Sequence, residues 1–270
     1  MKTIKFLTLG LLFSSFSVFA SCGNPTTEKN KDVAENTEPK TEVISEKEEV
    51  KSADISFKKG KLIEVALLSV KPDGQKAFME EYFPKVMPVA APYGARPIAS
   101  FAVVNKVLGN KPNQMVVFFE WESVEQKRAF EANPEYLKLR NIRDNALSFL
   151  SQGYFQVEND VTVNVSTDTL YDFAGLFINP EKANLLQEYF QAVLPTASKP
   201  EFGYTPIVNL NPIPGVYDQS YHPSVIAFAE WKAGPDSQER FEKTQAFQKN
   251  KGKRAAGAPY IDVFHIKPIL

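Results

Sequence analysis

Between residues 61 and 270 two rhythms of apolar positions follow one another, and the same succession occurs twice. Residues 62–70 (LIEVALLSV) are dense in β-formers and predict a strand. Asp73 stands where a helix N-cap belongs. Phe78, Tyr82, Val86 and Val89 then recur at spacings of four, four and three, the apolar stripe of a helix. Residues 97–104 and 114–121 predict two more strands. Ser123 and Gln126 have the spacing of a capping box. Asn133-Pro134 interrupts the helix that follows, since asparagine caps and proline suits a first helical turn. The helix resumes through Leu137, Ile142, Ala146 and Leu150, and residues 153–158 form a closing strand.

The second half repeats this order. A strand at 171–178 leads to a helix capped by Asn179-Pro180 and carrying Leu186, Tyr189 and Val193. Strands at 205–210 and 225–231 follow, then a helix opening at Gly234-Pro235 and a last strand at 260–266. The residues repeat as well as the pattern. Glu81-Tyr82-Phe83 recurs as Glu188-Tyr189-Phe190, VVFFEW (116–121) as IAFAEW (226–231), Phe130-Glu131 as Phe241-Glu242, and Arg143 as Arg254, with an offset that drifts only from 107 to 111. Such ordered self-similarity marks a duplicated unit. Each copy reads β-α-β-β-α-β, the ferredoxin-like or split βαβ unit, so the fold class is α+β. A four-stranded sheet with helices on one face leaves its other face apolar and open. A second copy in the same chain covers it, which predicts a monomer with an internal pseudo-dimer.

The residues that carry this pattern resemble those of the dimeric α+β barrel superfamily, which includes the antibiotic-biosynthesis monooxygenases, and those of a family of small uncharacterised barrel proteins. They are the strand ending Phe119-Glu120-Trp121, the break Asn133-Pro134-Glu135-Tyr136, Arg140 with Arg143, and the closing Gly153-Tyr154-Phe155. The resemblance covers about 95 residues of the first copy and is weaker in the second, which lacks the Asn-Pro-Glu-Tyr break. It implies that this chain builds within itself the barrel that relatives build by dimerising. It implies almost nothing about chemistry, because function resides in sites and not in folds.

Upstream of residue 61 the pattern changes. Lys2 and Lys5 precede an apolar run from Phe6 to Phe19 that is too short to span a bilayer, and Ala20-Ser21-Cys22 follows. This resembles a bacterial lipoprotein signal, with Phe19 where leucine is usual. Cys22 is then the lipidation site, residues 1–21 are removed, and the chain is held in the bacterial cell envelope by a lipid anchor, at the outer membrane. Residues 22–60 carry nine acidic and seven basic side chains, with no aromatic before Phe57, and read as a disordered charged tether. Two folded units remain, 61–163 and 164–270.

Composition narrows the partners. Thirty-one basic residues against 32 acidic give a net charge of −1, which argues against nucleic acid. A single cysteine excludes an internal disulfide and any multi-cysteine metal site. Some barrels of the superfamily bind haem through a histidine. Here only His222 and His265 are available, with no accompanying signal, and neither a metal nor another cofactor is expected.

The candidate chemistry is thin. Glu120 and Glu230 each precede a tryptophan at the end of an apolar strand, and alternation puts Glu120 on the face shared by Val116 and Phe118. If that face lines the barrel, desolvation fits the carboxyl for proton transfer, and these are the candidate catalytic residues. Tyr93 and Arg96 flank the start of a strand that later holds Asn105, and these three are candidate ligand-binding residues. His222 joins them from residues 211–223 (NPIPGVYDQSYHP), a stiff aromatic stretch with the makings of a lid. Three readings stay open. The first is a binding module for a small, partly apolar molecule between the two sheets. The second is a cofactor-independent oxygenase or isomerase with a barrel glutamate as base. The third is a structural or interaction protein whose barrel is filled by its own side chains.

Overall fold

The computed structural model describes residues 50–270. The signal, Cys22 and the tether up to residue 49 lie outside the described residues. Ten strands and six α-helices run in the order β1 (Ser52–Phe57), β2 (Leu62–Val70), α1 (Phe83–Ala90), β3 (Arg96–Leu108), β4 (Met115–Trp121), α2 (Val124–Glu131), α3 (Pro134–Ala146), β5 (Leu147–Gln156), β6 (Val161–Ser166), β7 (Leu170–Phe177), α4 (Ala183–Ala197), β8 (Tyr204–Pro212), β9 (Val225–Trp231), α5 (Ser237–Glu242), α6 (Gln245–Gly257) and β10 (Tyr260–Pro268). Eight strands close into one antiparallel barrel, in the order β10-β3-β4-β2-β5-β8-β9-β7. The first copy supplies β2 to β5 and the second β7 to β10. Their sheets join where β10 pairs with β3 and β5 with β8. The molecule is thus an α+β barrel made from two ferredoxin-like units. Among the described residues no helix is long and apolar enough to cross a membrane.

Strand alternation divides the side chains between three cores. One face of every strand points into the barrel, where Phe101, Phe118, Phe155, Phe173, Phe228 and Phe264 are buried together with Ile63, Val65, Leu67, Val116 and Ile226. The rings interlock: Phe101 lies 5.9 Å from Phe118 and 5.4 Å from Phe228, mostly edge-on, as aromatic quadrupoles prefer. The opposite faces carry the two helical layers, one around Trp121, Phe130 and Tyr136 and the other around Trp231, Phe241 and Phe247. Side chains of both sheets pack against one another in the space between them, and two cavities of about 390 and 160 Å³ lie outside it, beside Lys199 and Lys249 and beside Lys232 and Lys267 respectively.

Several local expectations hold and several need correction. Ser123 caps α2 by accepting from the Gln126 amide at 3.3 Å, and Asn133 caps α3 by accepting from the Glu135 and Tyr136 amides. The break is present in the second copy too, with Thr244 accepting from the Phe247 amide between α5 and α6. A hydroxyl does there what the asparagine amide does in the first copy, so the motif changes while the cap survives. The third helix ends at Ala146, before Leu150, because the chain joins β5 and pairs with β2 from Leu147 onward. Asp73 makes no cap: its segment is a turn, and the helix reaches α1 through a π-helical stretch, Ala77–Tyr82.

The largest correction concerns the tether. Residues 52–57 fold as β1 and pair antiparallel with β6, the connection between the copies. Mean composition hid a short alternation in which Ile55 and Phe57 face one way. Both are buried, Phe57 with its ring 5.6 Å from Phe118 and 6.5 Å from Phe228. The ribbon stops the lower end of the barrel, the end where β2, β3, β7 and β8 begin.

Candidate functional site

At that lower end the structure brings two of the expected residues together. Glu120 follows Phe118 on the barrel-facing side, and Arg96 lies opposite it in the β3–β4 register. The guanidinium grips both carboxylate oxygens, from Nε at 3.2 Å and Nη2 at 3.0 Å, and Nη2 also donates to the Ser56 carbonyl of the ribbon. Glu120 is therefore committed to an ion pair that ties the ribbon to the barrel rim. Its counterpart Glu230 pairs with Lys232 at 2.9 Å. Tyr93 is not part of this group: its hydroxyl accepts from Asn133 Nδ2 at 3.0 Å and its ring packs edge-on against Phe130. Asn105 is exposed towards the far end of β3, and His222 is exposed with Nδ1 3.0 Å from the Gln219 carbonyl. The expected residues thus scatter over both ends of the barrel and do not form one site.

The upper end is where the copies differ most. In the first copy β3 runs on to Leu108 and pairs with β10 as far as Val263. In the second, β8 stops at Pro212 and pairs with β5 at only two positions. Prolines at 212, 214 and 223 explain the stop, because proline removes the amide that a strand interior needs. Residues 213–224 cross the open seam. The Ile213 amide donates to the Tyr154 carbonyl and the Tyr221 amide to Gln152 at 2.9 Å. The Gln152 amide donates in turn to Ser220 Oγ, and Ser151 Oγ donates to the Ser220 carbonyl.

Tyr221 leaves this loop and enters the barrel mouth, where it is 1% exposed. Its ring stacks on Phe173 at 6.4 Å and meets Phe177 edge-on at 6.2 Å. Two glycines admit it. A Cβ on Gly175 would stand 1.9 Å from the Tyr221 hydroxyl, and one on Gly153 would stand 2.1 Å from its carbonyl. In the first copy the strand LIEVALLSV has Leu67 where LYDFAGLFI has Gly175, so the second copy has given up a core side chain where the phenol lies.

Asp262 faces Gly175 across the β7–β10 register and is fully buried. The Tyr260 hydroxyl lies 2.8 Å from its Oδ1 and 3.0 Å from Asn110 Oδ1. Lys111 Nζ stands 5.8 Å from the centre of the Tyr221 ring. Burial raises the Asp262 carboxyl above the usual carboxylate range, opposed by the Tyr260 hydroxyl and then by Lys111. Burial, and next Asp262, push the Tyr221 hydroxyl well above its ordinary value. The two groups are close enough to perturb each other, yet the Tyr221 hydroxyl and Asp262 Oδ2 are both buried without a partner in hydrogen-bond geometry. A buried hydroxyl and a buried carboxyl oxygen left unpaired are costly, and they cluster where structures bind or react.

Within residues 211–223 sequence reasoning singles out His222, which the structure leaves exposed beside the buried Tyr221. His222 drew attention as an imidazole, while its neighbour Tyr221 is the side chain that enters. Asp262 was legible in principle, as a carboxyl on the same alternation as Phe264 and Ile266, and Gly175 as a glycine inside an apolar strand.

Residues 66–150 match a family model described as a domain of unknown function (DUF1330). No curated protein sequence matches the chain. Among solved structures it is similar to an anthrone oxidase-like protein, with 15% identity over 79% of this chain and 94% of that one and a TM-score of 0.49. It is also similar to a mutant chlorite dismutase from Candidatus Nitrospira defluvii, with 11% identity over 78% of this chain and 92% of that one and a TM-score of 0.46.

Proposed function

We propose that the chain is a lipid-anchored envelope protein that binds a small aromatic molecule at the upper mouth of its barrel. Residues 213–224 are the lid, and Tyr221 holds the ligand's place when the lid is shut. The observation that carries this is the burial of a loop phenol in an aromatic slot, with its hydroxyl and Asp262 Oδ2 unpaired. A ligand with a ring and a hydrogen-bond donor stacks on Phe173 in place of Tyr221 and gives Asp262 Oδ2 the donor it lacks. Lys111 favours an electron-rich ring. With side chains of both sheets packed against one another, binding between the sheets requires this lid to open. The anchor rests on Ala20-Ser21-Cys22 after a basic and apolar leader; Cys22→Ala should abolish fatty-acid labelling and membrane retention, and full retention by the variant would refute it.

The binding test uses p-cresol, the tyrosine side chain as a free molecule, with the intact barrel. Saturable binding is expected in the wild type. Tyr221→Gly should bind more tightly, because the wild type binds only in its lid-open fraction. Asp262→Asn should bind about tenfold more weakly through a lost charge-assisted hydrogen bond. Binding by Tyr221→Gly but not by the wild type would make Tyr221 a fixed plug and remove the functional reading. A second reading, proton abstraction from the bound ligand, is favoured by the raised carboxyl of Asp262, with Asp262 as base in place of the Arg96-bound Glu120. It predicts an Asp262→Asn protein that retains its ligand and does not convert it.

A further inference from the structure

The duplication lets each buried polar group be compared with its twin, and one pair has diverged in charge. In the first copy Glu64 lies beneath the helices, opposite Tyr154 in the β2–β5 register. It is fully engaged. Lys127 Nζ of α2 is 3.1 Å away with both side chains nearly unexposed, the Trp121 indole donates at 2.7 Å, and Gln152 donates to the other oxygen. Lys127 also reaches Glu131 at 3.4 Å, which accepts from the Tyr154 hydroxyl.

The second copy keeps this frame and changes its charges. Asp172 replaces Glu64 and lies opposite His265, which replaces Tyr154. Trp231 and Glu242 are retained. The lysine becomes Gln238, whose Oε1 accepts from His265 Nε2 and whose amide donates to Glu242 at 3.3 Å. The buried carboxyl has lost its cation, and Asp172 Oδ1 and the Trp231 indole nitrogen are buried without a partner. We propose that Asp172 and His265 hold one proton between them, so that the second copy carries a proton-binding site where the first carries a fixed ion pair.

Everything that packs against Asp172 agrees. Glu242 approaches from α5, Tyr189 from α4, Tyr204 from β8 and His265 from β10 across the register; Asp172 has no salt bridge among the described residues, and Arg254 faces Tyr189 and Phe247. Burial pushes the Asp172 carboxyl up to about 7, opposed by the nearby indole and assisted by Glu242. Burial pulls the His265 imidazole below its ordinary value. The signs combine simply. Folding favours the protonated carboxyl, a contribution present below the usual carboxylate range and lost as pH rises through about 7. Folding disfavours the charged imidazole, a penalty that grows as pH falls below the usual histidine value. The shared proton therefore moves from histidine in the unfolded chain to aspartate in the folded one.

The test is infrared and NMR titration of the full chain, in which two histidines keep the imidazole signals assignable. At about pH 6 a protonated-carboxyl stretching band is expected beside a neutral His265, fading as pH rises through the Asp172 transition and absent from Asp172→Asn. The proton found on His265 at that pH, with Asp172 ionised, would overturn the proposal. Gln238→Lys should restore the arrangement of the first copy and lower the carboxyl transition by about 1–3 pH units. Both groups deprotonated at about pH 6 would overturn the proposal. So would a transition unmoved by Gln238→Lys in a folded variant.

Discussion

Tyr221 is a large residue held by a loop, and its hydroxyl is buried beside Asp262 with no partner in hydrogen-bond geometry. Tyr221→Phe removes an unpartnered buried polar atom and should leave stability within about 0.5 kcal/mol of the wild type, or raise it. A loss above about 1.5 kcal/mol in urea denaturation would instead show a bond to Asp262. The opposite case is Lys127, whose partner Glu64 is as buried as it is. Lys127→Met leaves that carboxylate without its cation and should cost about 3–5 kcal/mol. At this scale the sequence was a poor guide. Glu64, Asp172 and Asp262 are single acidic letters inside apolar strands, no different in appearance from Glu120. What separates them is the register partner and the helix above, which no local pattern encodes.

The elements were far more legible. The strands of the barrel followed from runs of β-formers and the first helix from its four-four-three stripe, because burying an apolar face dominates local choice. The misses have a common cause in tertiary contact. Leu150 belongs to a strand because β2 offers it a pairing edge, and Thr244 replaces Asn133 because either oxygen can cap. β1 was lost in a charged average, although Ile55 and Phe57 alternate as a strand should. Its weight is testable: Phe57 touches aromatic rings of both copies, so Phe57→Ala should destabilise the whole barrel by about 3–5 kcal/mol. A change below about 1 kcal/mol in the denaturation midpoint analysis would make the ribbon a surface ornament and not a stopper.

At the scale of the molecule, duplication supplied both the fold and the asymmetry. Closing eight strands in one chain leaves only the short β5–β8 seam, which residues 213–224 cover, and the two inner faces share one aromatic core. Residues 50–270, with β1 in place, should therefore be monomeric, whereas residues 61–163 alone should aggregate or pair with themselves; a stable monomer of that fragment, seen by light scattering, would refute the shared core. Once one chain holds both copies they need not stay alike. The second has traded Leu67 for Gly175 and a strand extension for a proline-rich loop, and the candidate site occupies the difference. That site was only half visible beforehand, since a lid is a sequence feature but its docking partner across the barrel is not. The account stands or falls on whether the lid opens for a ligand, and hydrogen exchange at the Tyr221 amide, bonded to Gln152 when the lid is shut, reads this directly. Saturating p-cresol should speed exchange at Tyr221 and at Gln152, whose amide donates to Ser220 Oγ, while amides of β7 and β9 stay protected. Unchanged or slower exchange at Tyr221, with p-cresol bound, would contradict it.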